Sequence, residues 1–377
     1  MEFKILLESS YAWFLKYPVF IQFALVMIVL SIVLFLVANV SLVLDRITTS
    51  SRELRIQRAS KLISTELTDS LMMEDEMSEL NFNMLVKRIK EVVITNKLVK
   101  QVVIDQIIFY HRNFTDHTER LLTKLFLKLN LVDSSIQKVK NGTWELKAKG
   151  LREMQEMTLS QTMNQFIDPL LNDKNHDLRI EAQATYIRIN KDNPFRFLMD
   201  ATEELLEWHQ ILLYELITNT PDLAKPNINA YLKSKNSSVV SFSVKLVVYY
   251  HLLEAIPVLI SLLDHPVQKI REEVVVALGS LNVEEAEIRM IEKYPMEDLK
   301  VQLRILTSLG EIGSGNQLNF LKKQFLKSDE FTIMKTAGCA LAVYPAFNKQ
   351  EILNETNEIS SWRETILHHC TNTLIRN

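Results

Sequence analysis

One pattern in the second half of the chain returns about every thirty residues, and it constrains the fold more than any other feature. The segments LRIEAQATYIRI (178–189), VVSFSVKLVVYY (239–250), QKIREEVVVALGSL (268–281), LKVQLRILTSLGEI (299–312) and FTIMKTAGCALAVY (331–344) align on Ile180, Val240, Ile270, Val301 and Ile333. The gaps between these anchors are 60, 30, 31 and 32 residues. The gap of 60 leaves room for a degenerate unit in ELLEWHQILLYELI (204–217). An earlier candidate is WELKAKGLREMQEM (144–157), with Leu146 standing 34 residues before Ile180. Inside each segment apolar residues recur at spacings of three and four, the helix period. Amphipathic segments at 254–266, 283–295 and 316–329 supply a second helix to three of the units. One helix pair cannot bury its apolar stripe alone, so such pairs stack and share a core between neighbours.

Glycine usage agrees. Seven glycines in 377 residues is about 2%, against a usual ~7%. Phosphate loops, tight βα turns and hairpins depend on glycine for positive φ or close backbone approach. The expectation is an all-α chain, and alternation at period two is not sustained anywhere in it. Pro257 and Pro169 suit first helical turns, where the missing N–H costs nothing. Pro266 and Pro295 follow helix ends. Gly279 and Gly310, 31 apart, fall at matching sites near the ends of first helices.

Near the N-terminus, residues 19–44 form 26 positions without a charge. As a helix this run is about 39 Å long, enough to cross a hydrocarbon core of about 30 Å with some tilt. It is too long for the apolar region of a cleaved signal, and Ala38 to Leu42 make poor cleavage sites. A transmembrane helix is therefore expected. Lys4 and Lys16 precede it, whereas Arg46, Arg52, Arg55, Arg58 and Lys61 follow within 17 residues. That imbalance puts the C-terminal side in the cytoplasm. Two cysteines, Cys339 and Cys370, are too few for a disulfide framework and fit a reducing compartment.

The expected organisation is a tail (1–18), the transmembrane helix (19–44), a basic helical neck (45–78), a helical region with degenerate repeats (79–143), and a repeat solenoid with a C-terminal cap (144–377). The acidic MEDEMSE stretch reads as a turn closing the neck.

The repeat segments resemble the first helix of HEAT-like repeats. Ile270-Arg271, Val274, Leu278 and Gly279 match that pattern. Val301, Ile305, Leu309 and Gly310 match it with Gln302 in the Arg place, and Ile333, Ala337 and Leu341 match with Ala342 where glycine is usual. Asp298 and Asp177 stand where such helices are opened by an aspartate N-cap. The resemblance covers about residues 177–345, is weak before that, and is to the compact repeats common in bacteria. It implies an α-α superhelical solenoid that binds proteins. Some relatives are chromophore lyases, so the resemblance leaves an enzyme open. Others, anchored at a bacterial inner membrane, occur beside envelope polysaccharide glycosyltransferases, which implies a membrane enzyme of that kind as partner.

Chemistry is sparse. The net charge of −3 gives no global attraction to nucleic acid. None of the eight histidines forms HExxH, and no paired-cysteine zinc spacing exists. HHC (368–370) reads as a partly exposed capping helix. GEIGSGNQ (310–317) lacks the preceding strand and following Lys-Ser/Thr of a phosphate loop and reads as an inter-helix turn. Trp208 reads as packing within the repeats. No catalytic, metal or cofactor residue is assigned, and no cofactor is expected. The only site residues are Arg46, Arg52, Arg55, Arg58 and Lys61, placed to meet lipid headgroups. The reading is a non-catalytic, membrane-tethered scaffold whose second helices line the binding surface, with a lyase or metal-dependent enzyme and an extracytoplasmic scaffold as alternatives.

Overall fold

The computed structural model describes residues 16–72, 78–93, 97–114, 117–157, 161–344 and 361–371. Most of the N-terminal tail, the acidic turn at 73–77 and much of the C-terminal cap lie outside them. All regular structure among the described residues is helical. The chain divides into two compact units, residues 1–133 and 134–377.

In the first unit a single helix, α1 (Val19–Met72), carries both the uncharged run and the basic neck. At 1.5 Å per residue it is about 80 Å long. It is the one described helix long and apolar enough to cross a membrane, by length and composition. Most of its apolar half is exposed: Phe23, Val29, Phe35 and Leu42 are each more than half exposed. Its polar half does pack. Ile63 and Leu67 are fully buried, and Tyr110 of α3 (Lys97–Asn113) hydrogen-bonds the hydroxyl of Thr68 at 2.8 Å. Helices α2 (Glu79–Val93) and α4 (His117–Lys128) complete this unit with Phe82, Leu85, Leu122 and Phe126.

Helix α5 (Leu131–Asn141) runs across the division between the units. In the second unit the first helices are α6 (Trp144–Glu156), α7 (His176–Ile189), α8 (Glu207–Asn219), α10 (Ser237–Tyr250), α12 (Gln268–Ser280), α14 (Leu299–Ile312) and α16 (Phe331–Leu341). The helices between them are short: a single turn at Asn164–Ile167, then α9 (Ile228–Leu232), α11 (Ile256–Leu262), α13 (Glu287–Lys293) and α15 (Leu318–Lys327). Helices α11 and α13 each open on a 3₁₀ turn. A last helix, α17 (Ser361–Thr371), packs on α16.

The helix starts move two sequence anchors. The third helical residues are Leu178, His209, Val239, Ile270, Val301 and Ile333. Their successive differences are 31, 30, 31, 31 and 32. Leu178 and Val239 therefore replace Ile180 and Val240, although those two are also buried. The degenerate unit is complete, with a histidine in the anchor position. N-capping corrects a second detail. Asp298 caps α14, accepting from the Val301 N–H at 3.0 Å. At α7 the cap is Asn175, accepting from Leu178 N–H, and Asp177 lies inside the first turn.

After four of the six anchors the next residue acts as a staple to the preceding loop. Arg179 donates to the Asp173 carbonyl at 2.6 Å, Gln210 to Leu205 at 2.9 Å, Arg271 to His265 at 2.9 Å and Gln302 to Tyr294 at 3.0 Å. Gln302 thus does the work of the arginine it replaces. Neighbouring first helices are joined further up. The Thr185 hydroxyl donates to the Leu151 carbonyl at 3.4 Å, and Ser308 to Val275 at 3.0 Å.

Gly279 and Gly310 are the twelfth residues of α12 and α14, where the next helix comes closest. A Cβ on Gly310 would stand 2.9 Å from Ala340 Cα, and one on Gly279 2.7 Å from Ser308 Cβ. The turn after α14 uses positive φ at Gly313 (65°) and Gly315 (83°), and Ser314 between them donates to the buried Glu287 at 2.6 Å. It is an inter-helix turn.

Cys339 of α16 and Cys370 of α17 form a disulfide, with Cα atoms 4.7 Å apart, a normal separation for one. The sequence reading, which took two cysteines as too few for a disulfide framework, did not foresee this single pair. The pair could not be read from spacing, because it depends on α17 packing against α16.

Candidate protein-binding groove

The exposed face of the first helices carries a groove. Its floor is α10, the sequence SSVVSFSVKLVVYY, which buries nine of its residues. At the twelfth position α10 has Val248 where α12 and α14 have glycine. A valine there prevents the close approach seen between α12 and α14, and α10 packs less extensively on α12 than α12 does on α14. On the other side α8 and α10 barely touch. Side chains bridge them instead: Lys245 donates to the Gln210 amide oxygen at 2.8 Å. The recessed α10 lies between two walls, with Ile211 and Tyr214 from α8 and Val276 and Ala277 from α12, around a hollow of about 490 Å³. A second hollow of about 550 Å³ continues it toward the helix starts and shares Ile211, Lys245, Glu272 and Glu273. Ile211 is 65% exposed.

The charges are arranged in layers. Glu272 accepts from Lys300 at 2.8 Å and Arg304 at 3.2 Å, and Glu273 lies 3.8 Å from Lys245. Both carboxylates sit low, their side chains 11% and 18% exposed, whereas Lys300 is 66% and Arg304 50% exposed. Lys269 pairs with Glu207 across α10. The hydrogen bond to Lys269 holds the Glu207 carboxyl below its ordinary range, and that to Glu207 raises the Lys269 ammonium. Each carboxylate of the groove therefore has a cation beside it. Among the described residues no three His, Cys, Asp or Glu side chains come together as a metal-holding set.

A larger hollow of about 750 Å³ lies between the loop at 198–204 and the start of α10. Two of its polar side chains, Asn236 and Ser238, are already engaged in the seam between repeats. Asn236 donates to the Ala201 and Glu203 carbonyls, and the Ser238 hydroxyl accepts from the Leu205 N–H at 2.8 Å.

The residues singled out in the sequence are dispersed. Arg46, Arg52, Arg55, Arg58 and Lys61 are all exposed along α1. Trp208 is 44% exposed, so it is not core; its ring lies against His209, centroids 3.7 Å apart. His368 is exposed and His369 half-buried on α17. The groove itself lies on first helices, not on the second helices expected to line a binding surface. No motif signals it; the one sequence trace is Val248 at the position where the next two first helices, α12 and α14, have Gly279 and Gly310.

No family model and no curated protein matches the sequence. Solved structures do match the fold. Kap121p bound to Nup53p is similar with a TM-score of 0.51 and 13% identity, over 84% of this chain and 42% of that one. The chain thus spans about two fifths of Kap121p. CpcE and CpcF of the phycocyanin lyase from Nostoc sp. PCC7120 align at 13% identity over 77% of this chain and 94% of theirs, with a TM-score of 0.23, too low to compare architectures. The fold is a HEAT-like helical solenoid following a long apolar N-terminal helix.

Proposed function

We propose that the protein is a membrane-tethered scaffold that binds other proteins and catalyses nothing itself. The observation that carries this is the groove over α10: an apolar floor, exposed apolar walls and charges already neutralised pairwise, which suits recognition better than acid–base work. The apolar half of α1 supports the tether, because a helix apolar on every side is stable in lipid and not in water. Tethering raises the local concentration of whatever docks. The HEAT-like resemblance points to a membrane complex of the bacterial envelope, such as one making polysaccharide or secreting it. Because α1 is continuous, Arg46 and Arg52 stand within about 12 Å of Leu44, while Lys61 is about 25 Å along the axis. Beyond a Debye length of ~8–10 Å the pull of anionic lipid is screened, so only the first of these cations act on headgroups. A photo-crosslinking residue at Val276, in the native membrane, tests the scaffold. A protein adduct is expected there and not from Leu253, which is also exposed; adducts with lipid alone, or none, would remove the reading.

The basic flank supports a cytoplasmic solenoid. The Cys339–Cys370 pair favours a second reading, a scaffold on the oxidising side. Thiol labelling in intact cells distinguishes them. Two free thiols before any reductant mark the cytoplasmic side; thiols that appear only after reduction mark the other.

A further inference from the structure

The groove over α10 has an asymmetry that its balanced ion pairs conceal. Its carboxylates Glu272 and Glu273 lie beneath the surface, and Glu273 Oε2 is sealed from solvent with no hydrogen-bond partner. Its cations project. Lys245, Lys269, Lys300 and Arg304 come from three successive first helices, α10, α12 and α14, and all keep more than a third of their side chain exposed. Glu207 is the one carboxylate of the groove that projects, 78% exposed and paired with Lys269, which leaves Lys245, Lys300 and Arg304 as the projecting charges without a projecting counter-ion. A docking chain therefore meets apolar surface from Ile211, Tyr214 and Val276 rimmed by positive charge. This is so although the whole chain carries a net −3.

We propose that this groove takes an acidic segment of a partner protein, anchored by apolar side chains between its carboxylates. The proposal rests on the scaffold reading and names the chemistry of its partner. Ammonium and guanidinium groups already bound to low-lying carboxylates keep free N–H donors, three on each lysine and five on each arginine before pairing. A second carboxylate is bound without first breaking the existing pair. Packed helices stand about 8–10 Å apart, so the cations step across the groove at that interval. A polyproline-II chain, with three residues per turn at about 3.1 Å each, covers it in one turn and brings every third side chain back to the same side. The matching segment has Asp or Glu at every third position, with apolar residues between them.

The test uses the full-length chain in nanodiscs of uncharged lipid and three fluorescent synthetic peptides. The first has Glu at every third position and Leu between. The second replaces each Glu by Lys, and the third replaces each Leu by Ser. The acidic Leu peptide is expected to bind at least about tenfold more tightly than either, and to weaken as salt rises. Lys300→Glu with Arg304→Glu should weaken it a further tenfold or so and improve binding of the Lys peptide. Lys300→Gln leaves Arg304 on Glu272, and serves where the double reversal lowers the melting temperature; it should cost about threefold. Preference for the Lys peptide, or an affinity indifferent to both variants, overturns the charge assignment and leaves the scaffold standing. Binding of no peptide overturns the groove as a docking site altogether. Anionic vesicles that displace the acidic peptide would assign the cations to lipid instead and overturn the proposal.

Discussion

His209 shows how much one residue can depart from its repeat without breaking it. It fills the anchor position that Leu178, Val239, Ile270 and Val301 fill elsewhere, and it is 1% exposed. Its Nε2 has no hydrogen-bond partner. Burial first, and then the neighbouring Arg179 and His176, lower its pKa from 6.5 to about 4, with Asp177 opposing weakly. The ring is neutral in the fold at physiological pH. Because the folded pKa lies below the unfolded one, the unfolded chain takes up the proton first on acidification. Stability is therefore complete above about pH 6.5 and falls as pH drops toward 4, by no more than about 3.5 kcal/mol. His209→Leu should flatten that acid limb and leave stability at pH 7 unchanged or higher, as measured by denaturant melts across this range. An unchanged acid limb would place the titration elsewhere. In the sequence His209 is one of eight histidines, and only its place in the 31-residue register marks it as buried.

At the scale of helices, glycine governs spacing. Gly310 lets α14 and α16 approach until its missing Cβ would meet Ala340 backbone. Gly310→Ala should cost about 1–3 kcal/mol from overpacking, read as a lower denaturation midpoint with an unchanged slope. Ala340→Gly added to it should restore only part of the loss, because Ala340 Cα is as close as its Cβ. Gly279→Ala should cost a comparable amount, since besides the ends of Ser308 and Glu311 it meets Ser308 Cβ at 2.7 Å, which its own backbone holds in place. Helix types and the thirty-residue period were legible because both follow from local patterns of apolar side chains. The roles of Gly279 and Gly310 were visible as a coincidence of spacing, and their reason appears only when the facing helix is in place. The groove is the inverse case. Val248 reads as one more apolar residue of a buried helix, and it opens a trough because its neighbours on either side stand apart.

At the scale of the molecule, the apolar half of α1 should decide where the protein is found. The full chain is expected in the membrane fraction after an alkaline wash, and a chain lacking residues 1–44 in the supernatant, with its helical circular dichroism kept by the two packed units. Release of the full chain by the wash would dismiss the span. What the sequence by itself determined were properties that need no distant neighbour: helical periodicity, the recurrence of one unit, the length of the uncharged run and the basic flank behind it. Tertiary structure decided everything that depends on residues about 30 or 60 positions apart coming together. It settled that Cys339 meets Cys370, that Glu272 and Glu273 are covered while Lys300 and Arg304 project, and that first helices, not second, carry the groove. The reason is that a helix fixes which side chains share its own face, whereas the height of the next helix beside it is set by the volumes packed between the two.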